Sequence, residues 1–381
     1  MSLPVVLEEL AGVDDWRWQL RHAITDLPAL EAALELTHEE REGARRALEG
    51  GFPMSITPYY MSLCDRVDPD CPIRKQCVPR SSESVEVLGD LRDPLGEENH
   101  EVAPHLVRRY PDRVLLIATD RCSVYCRFCT RSRMVGQDGG ARSMDKLEPA
   151  FAWIEAHPEI KDVIVSGGDP LIAADARVAT ILERLSSIEH VWTVRIATRA
   201  PVTIPQRITP ELCRILRTHP AVWVMTHFNH PKELSPEARR ACAALIDHGI
   251  PVMNQSVLLR GINDDVHTLT ALFRGLIRTR VRPYYLLQAD PVRGTSHLRT
   301  PLEVGIALME QLQGHLSGIA LPKLIVDTPG GMGKVPIGPD WIVARAPGRT
   351  TLRTHRGVEV DYLDPPSSEN DADHEVIADQ R

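Results

Sequence analysis

From Arg113 onward the sequence repeats one alternation, and that alternation limits the folds open to the chain. Short β-branched and apolar runs recur as RVLLIAT (113–119), DVIVSG (162–167), VWTVRIAT (191–198), AVWVMTHF (221–228), IPVMNQSV (250–257), RPYYLLQ (282–288) and LPKLIVD (321–327). Helical patterns lie between them, among them VATILERLSSI (178–188), SPEARRACAALIDHG (235–249) and TLTALFRGLIRTR (268–280). Apolar strands separated by amphipathic helices describe a parallel sheet covered by its own crossovers. Seven strands with six helical connections fall short of a closed eightfold barrel. The fold expected is α/β, a partial (β/α)6 barrel with an extra strand.

Around this barrel, over 113–334, the text changes character. Residues 1–112 read as a helical N-terminal region, in which PALEAALELTHEEREGARRALEG (28–50) is a helix stopped by Gly50 and Gly51. The Pro- and Asp-rich stretch LCDRVDPDCPIRKQCVPR (63–80) reads as an extended or looping segment. Residues 335–364 form a C-terminal extension, where WIVARAP (341–347) and TTLRTHR (350–356) suggest a hairpin suited to dimerisation. The polar, acidic tail 365–381 is expected to be disordered.

The net charge of −8 excludes a general nucleic-acid binder, which needs a basic surface. No apolar run is long enough to span a membrane, and the N-terminus shows no basic stretch leading into an apolar one, so no secretory signal is expected. Eight cysteines in 381 residues are too sparse for a disulfide framework. Their clustering points to metal or redox chemistry in a reducing compartment, and the cytoplasm is expected.

Every strand run ends in polar residues: the cysteines after the first, SGGD (166–169), RIATR (195–199), THFNH (226–230), NQS (254–256), QAD (288–290) and DTPGGMGK (327–334). The C-terminal rim is where barrels assemble their active sites, so one shared site is expected there. The segment TDRCSVYCRFCTRSRMVG (119–136) places Cys122, Cys126 and Cys129 in a C-x3-C-x2-C pattern. Structural zinc would show a second close pair, and none follows. Three thiolates can instead hold a [4Fe–4S] cluster with one iron left for an outside ligand. DTPGGMGK is no phosphate loop of the G-x-x-x-x-G-K-[ST] kind, since Val335 follows the lysine; a lysine there can carry pyridoxal phosphate. Cys64, Cys71 and Cys77 read as scattered thiols, with a second cluster as the alternative, and Cys213 and Cys242 as core residues.

With Phe128 before its last cysteine, this loop closely resembles the radical S-adenosylmethionine (SAM) superfamily. From about Pro53 to Lys334 the chain resembles the lysine 2,3-aminomutase family. The matches run through YPDR (110–113), CRFCTRSR (126–133), SGGDPL (166–171), QRITPEL (206–212), THFNHP (226–231), NQSVLLRGIND (254–264), RPYYLLQAD (282–290), GTSHLRTP (294–301) and DTPGGMGKVP. The resemblance implies that Cys122, Cys126 and Cys129 bind the cluster and that Ser166, Gly167, Gly168 and Asp169 meet SAM, with His227 and Gln255 lining its pocket. It implies that Lys334 carries pyridoxal phosphate, contacted by Arg109, Tyr110 and Arg113. Arg131 matches the arginine for the substrate α-carboxylate, and Asp290 and Asp327 the pair that receives the ε-ammonium of lysine.

The activity implied is conversion of L-lysine to L-β-lysine, through hydrogen abstraction by a 5′-deoxyadenosyl radical and 1,2-migration of the amino group. A reducing partner of flavodoxin or ferredoxin type and a homo-oligomer come with it. L-arginine is the alternative substrate, because its far end is also cationic, and a branch that serves modification of a translation factor is the alternative setting. Two sequence departures stand out. Leu287 replaces a tyrosine frequent in close relatives, and Asp265 stands near the internal cysteine that holds zinc in some members, so no zinc is expected.

Overall fold

The computed structural model describes residues 12–137 and 143–365, so the expected disordered tail lies, from residue 366, outside the described residues. The 28–50 stretch forms two helices, Leu27–Ala33 and His38–Leu48, where the sequence suggested one. Leu34 is extended, and Thr37 restarts the chain with a capping box: its hydroxyl accepts from Glu40 N–H (3.2 Å) while Glu40 accepts from Thr37 N–H (2.9 Å).

Glu40 also closes a fully buried ion pair. Arg74 donates to it from Nε (2.7 Å) and Nη2 (2.6 Å), and donates further to the carbonyls of Glu35, Asp65 and Arg66. The 63–80 segment is a loop over its first half, exposed at Asp65–Asp68 and Asp70, as expected; its second half departs from that reading. It is drawn inward, and its one-turn helix Arg74–Cys77 buries Arg74, Gln76 and Cys77.

The main sheet has ten strands in sequence order. These are β1 (Glu101–Ala103), β2 (Leu106–Val107), β3 (Arg113–Thr119), β4 (Asp162–Gly167), β5 (Thr193–Ala197), β6 (Val222–Thr226), β7 (Val252–Leu258), β8 (Arg282–Gln288), β9 (Lys323–Asp327) and β10 (Lys334–Pro336). Strands β3 to β9 pair in parallel, as expected, while β1, β2 and β10 add antiparallel ends. The connections carry the helices Met144–Glu155, Asp175–Ser186, Pro210–Leu216, Pro236–Asp247, Val266–Arg278 and Leu302–Leu312.

The two faces of the sheet differ in burial. Val114, Leu116, Val163, Val165, Val194, Ile196, Val222, Val224, Leu286 and Leu324 face the helices and join one continuous core. The opposite face holds the register row Leu115–Ile164–Arg195–Trp223, every member only half-buried. A closed barrel fills that space with packed layers. Here the barrel is not closed and its interior stays open, which leaves room for ligands under the C-terminal rim.

The C-terminal extension forms a separate antiparallel sheet of β11 (Ile342–Ala346), β12 (Arg349–Arg353) and β13 (Glu359–Leu363). The hairpin thus gains a third strand, EVDYL, brought back by a turn in which Gly357 N–H donates to Thr354 O (2.9 Å). Among the described residues no helix is long and apolar enough to cross a membrane.

Removing one partner of a buried ion pair typically costs about 3–5 kcal/mol. Glu40→Ala is expected to lower the denaturant midpoint of unfolding by a corresponding amount, measured by circular dichroism. A midpoint within error of the parent would refute the anchoring role of the Glu40–Arg74 pair.

Candidate active site

The cysteine loop begins where β3 ends and is pressed against the end of β4. Gly168 N–H donates to Thr119 O and Asp169 N–H to Arg121 O, both at 2.7 Å. A Cβ on Gly168 would lie 2.1 Å from Arg121 O, and one on Gly167, at φ +120°, would lie 2.2 Å from Thr119 O. Only glycine fits either position. The sequence suggested that these glycines admit a ligand; the approach they permit here is to the backbone of the loop that carries the thiols.

Burial raises the pKa of Cys122, Cys126 and Cys129, the last to about 11. Holding them as thiolates therefore requires cations. Arg199 Nη1 donates to Cys126 Sγ at 2.7 Å, and Arg131 N–H donates to Cys129 Sγ at 3.4 Å. Among the described residues no three His, Cys, Asp or Glu side chains converge on a single ion. Three soft donors spread along one loop suit a polynuclear cluster, in which each thiolate takes a different iron.

The Asp169 carboxylate accepts from Thr198 Oγ1 (2.7 Å), Arg199 N–H (2.8 Å) and Leu171 N–H (3.0 Å), and burial raises its pKa. Both of its oxygens serve protein donors, so its side chain ties the end of β4 to the end of β5. Ser166, which is buried, instead meets Arg131, whose Nη1 lies 3.3 Å from Ser166 Oγ. Arg131 is already paired: Glu97 accepts from its Nε (2.9 Å) and Nη2 (2.7 Å).

His227 follows β6 and meets Phe128 edge-on, ring centroids 5.5 Å apart. Burial, reinforced by Arg199, drops its pKa to about 3, so the imidazole is neutral. Its Nε2 is buried without a hydrogen-bond partner. Such an orphan in a rim position suits a polar ligand like SAM. Gln255 lies on the half-buried inner face of β7, beside Tyr285 of β8.

The second half of the site lies where the sheet's two ends meet. Lys334 pairs in register with Asp327 across β10 and β9, and its Nζ contacts Asp327 Oδ2. Arg109 contacts the other Asp327 oxygen and donates through Nε to Gly331 O (3.2 Å). Tyr110 OH accepts from Lys334 N–H at 2.9 Å. Arg113, at the start of β3, lies over the Tyr110 ring (3.7 Å to its centroid) and pairs with Asp112, so it reaches the lysine only through Tyr110. A lysine with two arginines and a phenol around it suits pyridoxal phosphate, whose phosphate needs cations.

Asp290 follows β8. Burial, with the neighbouring Asp327 charge adding to it, pushes its pKa up to about 7. The two carboxylates share a cavity of about 480 Å³ with Arg260, Gln288 and Arg299. Leu287 sits half-buried on the inner face of β8 opposite Ile325, and Asp265 caps the helix Val266–Arg278 by accepting from Thr268 N–H (2.9 Å).

Sequence reading missed several partners. Arg199 joins Cys126, the carbonyl of His227 (3.1 Å), Glu233 (2.7 Å), Gln76 (3.2 Å) and Tyr60 (3.3 Å). The arginine closing RIATR was its only trace. Glu97, in PLGEENH, left none. The thiols of Cys64 and Cys77 are not scattered, since their sulfurs lie 3.8 Å apart, and Cys71 Sγ accepts from Asp65 N–H (3.3 Å).

Comparison with known proteins identifies the family. The family models described as "Radical SAM superfamily" and "Lysine-2,3-aminomutase" match residues 116–272 and 309–380. An L-lysine 2,3-aminomutase of Fusobacterium nucleatum is 46% identical over 352 residues, covering 92% of this chain and 83% of that one. One from Clostridium subterminale is 46% identical, covering 93% and 85%. A glutamate 2,3-aminomutase of Clostridioides difficile is 40% identical, covering 95% and 86%. With the fold, the thiol loop and these relatives in agreement, the chain belongs to the lysine 2,3-aminomutase family of radical SAM enzymes.

Proposed function

We propose that this enzyme moves the α-amino group of L-lysine to Cβ, giving L-β-lysine. The observation that carries the reading is the paired carboxylate of Asp290 and Asp327, in which Asp327 already holds a primary ammonium, that of Lys334. That ammonium stands in for the far end of a lysine substrate.

A [4Fe–4S] cluster on Cys122, Cys126 and Cys129 with SAM would supply a 5′-deoxyadenosyl radical, and pyridoxal phosphate on Lys334 would stabilise the migrating amine's unpaired electron. The chain's own residues then do the positioning. Backbone at Ser166, Gly167 and Gly168, with His227 and Gln255, borders the SAM pocket. Arg109 and Tyr110, with Arg113 behind, hold the pyridoxal phosphate. With Lys334 turned to pyridoxal phosphate, Asp327 would be left with Arg109 and room for a second cation. Arg131 takes the α-carboxylate, and the two poles together fix where Cβ lies, an orientation on which hydrogen transfer depends.

Charge supports lysine over glutamate. A distal carboxylate would face two buried carboxylates of the same sign, whereas an ammonium is paired on arrival. L-Arginine satisfies the same charges and is the second reading. The eight unpaired cysteines and the need for a low-potential electron support a cytoplasmic setting with a flavodoxin- or ferredoxin-type donor. The exposed Val358, Val360, Tyr362 and Leu363 around β13 support self-association through the C-terminal sheet.

Reconstituted enzyme, given SAM and a strong reductant with lysine, arginine or glutamate, is expected to yield a β-amino acid from lysine foremost; turnover of glutamate in preference would sink the proposal. Lys334→Ala should lose the absorbance of bound pyridoxal phosphate while keeping its iron, and persistence of that band would rule out Lys334 as the attachment point.

The acid limb of the rate profile tests Asp290. A cationic substrate favours the ionised carboxylate, so binding weakens as Asp290 protonates. KM for lysine should rise as pH falls below about 7, by up to tenfold per pH unit. Asp290→Asn should flatten that limb and raise KM at pH 8 by roughly 30-fold or more. An unchanged pH profile in the variant would remove Asp290 from the ammonium site.

A further inference from the structure

The α-carboxylate end of the site has a second component that the proposed reaction does not itself require. Glu97, 3% exposed, accepts from Arg131 through Nε (2.9 and 3.1 Å to its two oxygens) and Nη2 (2.7 Å). Arg133 Nη2 reaches the same carboxylate at 3.1 Å, and is itself shared with Asp93 (3.3 Å), while its Nε reaches Glu98 (3.2 Å). Burial alone would raise the pKa of Glu97, but the guanidiniums of Arg131 and Arg133 override it and hold the carboxyl below its usual value.

We infer that Glu97 is a positioning residue for substrate binding: it locks Arg131 by its Nε and Nη2 edge, so that the α-carboxylate is met by the Nη1 edge beside Ser166. The inference rests on Arg131 being the carboxylate site. A guanidinium has five N–H donors in a rigid fork, and a carboxylate on one edge leaves another edge to bind. The Nη1 partners are Ser166 Oγ at 3.3 Å and Gly167 O at 3.4 Å, both near the long limit for a hydrogen bond. They are weak and can be exchanged for a carboxylate. Glu97 cannot be exchanged so easily. Displaced from Arg131, it would keep its charge in a buried place with only Arg133 to pair it, a costly state.

The arrangement has a consequence for geometry. Arg131 lies two residues past Cys129, and its backbone N–H already donates to that sulfur. With its side chain clamped as well, the guanidinium stands at a fixed offset from the thiol loop. The substrate's Cα and Cβ would then be registered against the site of radical formation by one rigid arm. A competing view makes Glu97 a stand-in for the substrate carboxylate, to be pushed aside on binding. The two views predict opposite changes in KM.

The test uses the holoenzyme with cluster and pyridoxal phosphate loaded. Glu97→Gln removes the charge and keeps the shape. KM for lysine is expected to rise about tenfold with a smaller change in kcat, while iron content and the pyridoxal phosphate absorbance stay at parent values; Tm falls, because a buried pair loses one charge. The inhibition constant of pentane-1,5-diamine, which has both ammonium groups and no carboxylate, should not move. In an Arg131→Lys background Glu97→Gln should add little, because both act through one contact. A fall in KM would overturn the proposal in favour of displacement. A loss of iron or of the pyridoxal phosphate absorbance in step with activity would overturn it in favour of a structural role. If Arg131→Lys leaves the lysine KM unchanged, the carboxylate role of Arg131 itself fails. If Arg131→Lys raises KM but Glu97→Gln multiplies it equally in both backgrounds, only the role of Glu97 fails.

Discussion

Asp327 accepts Arg109 from one end of the sheet and Lys334 from the other. An open barrel has two edges whose backbone groups lack a ladder partner, and such edges invite wrong pairings. Here the edges are bridged by side chains converging on one buried carboxylate, helped by the Tyr110 hydroxyl on Lys334 N–H. The bridge brings together residues more than two hundred positions apart and leaves the interior open. A backbone seam would have closed the lumen that a ligand must enter. The carboxylate that fastens the barrel is thus one that already accepts an ammonium, that of Lys334.

Charge is distributed in the site by need. The thiol loop is buried, which favours neutral thiols, and donors stand against it: the Arg199 guanidinium on Cys126 and the backbone N–H of Arg131 on Cys129. The opposite end is acidic, with Asp290 held near neutrality by burial and by Asp327. The substrate proposed above would complete both ends, its carboxylate facing arginine and its ammonium facing aspartate. The open lumen matters here as well. Leu115, Ile164 and Trp223 stay half-buried on the inner face, and Arg195 in the same row pairs with Asp162 (2.8 Å), so that face is left unpacked.

Strand order, strand positions and the thiol loop were legible because each rests on local pattern. β3, β4 and β8 occupy the expected bounds, since their apolar runs are bounded by charged or glycine residues that stop the ladder. Lys334 and Asp327 were legible from the resemblance, though not their contact. The break before Thr37 was present in the sequence as T-x-x-E, and continuity of helix formers masked it. Glu97 and Arg199 were illegible for a different reason. Each acts through partners 28 or more residues away, and no periodicity records which arginine a buried carboxylate will meet. Asp169 has a structural role that its motif does not record: its oxygens accept from Thr198 and two backbone donors.

The N-terminal helices have a place in this economy of contacts. Gln76 accepts from Arg199 through its side chain and from Arg127 N–H through its carbonyl at 2.9 Å, which grips the cysteine loop between Cys126 and Cys129. Arg127 in turn donates to the carbonyls of Pro53 and Phe52 and to Glu83. The buried Arg74–Glu40 pair holds the short helix that positions Gln76. A loop that must keep three sulfurs in place cannot depend on its own turns, which have few internal hydrogen bonds to stiffen them. Its rigidity is borrowed from a wall of helices outside the barrel, and a charge pair two residues from Gln76 sets the position of that wall.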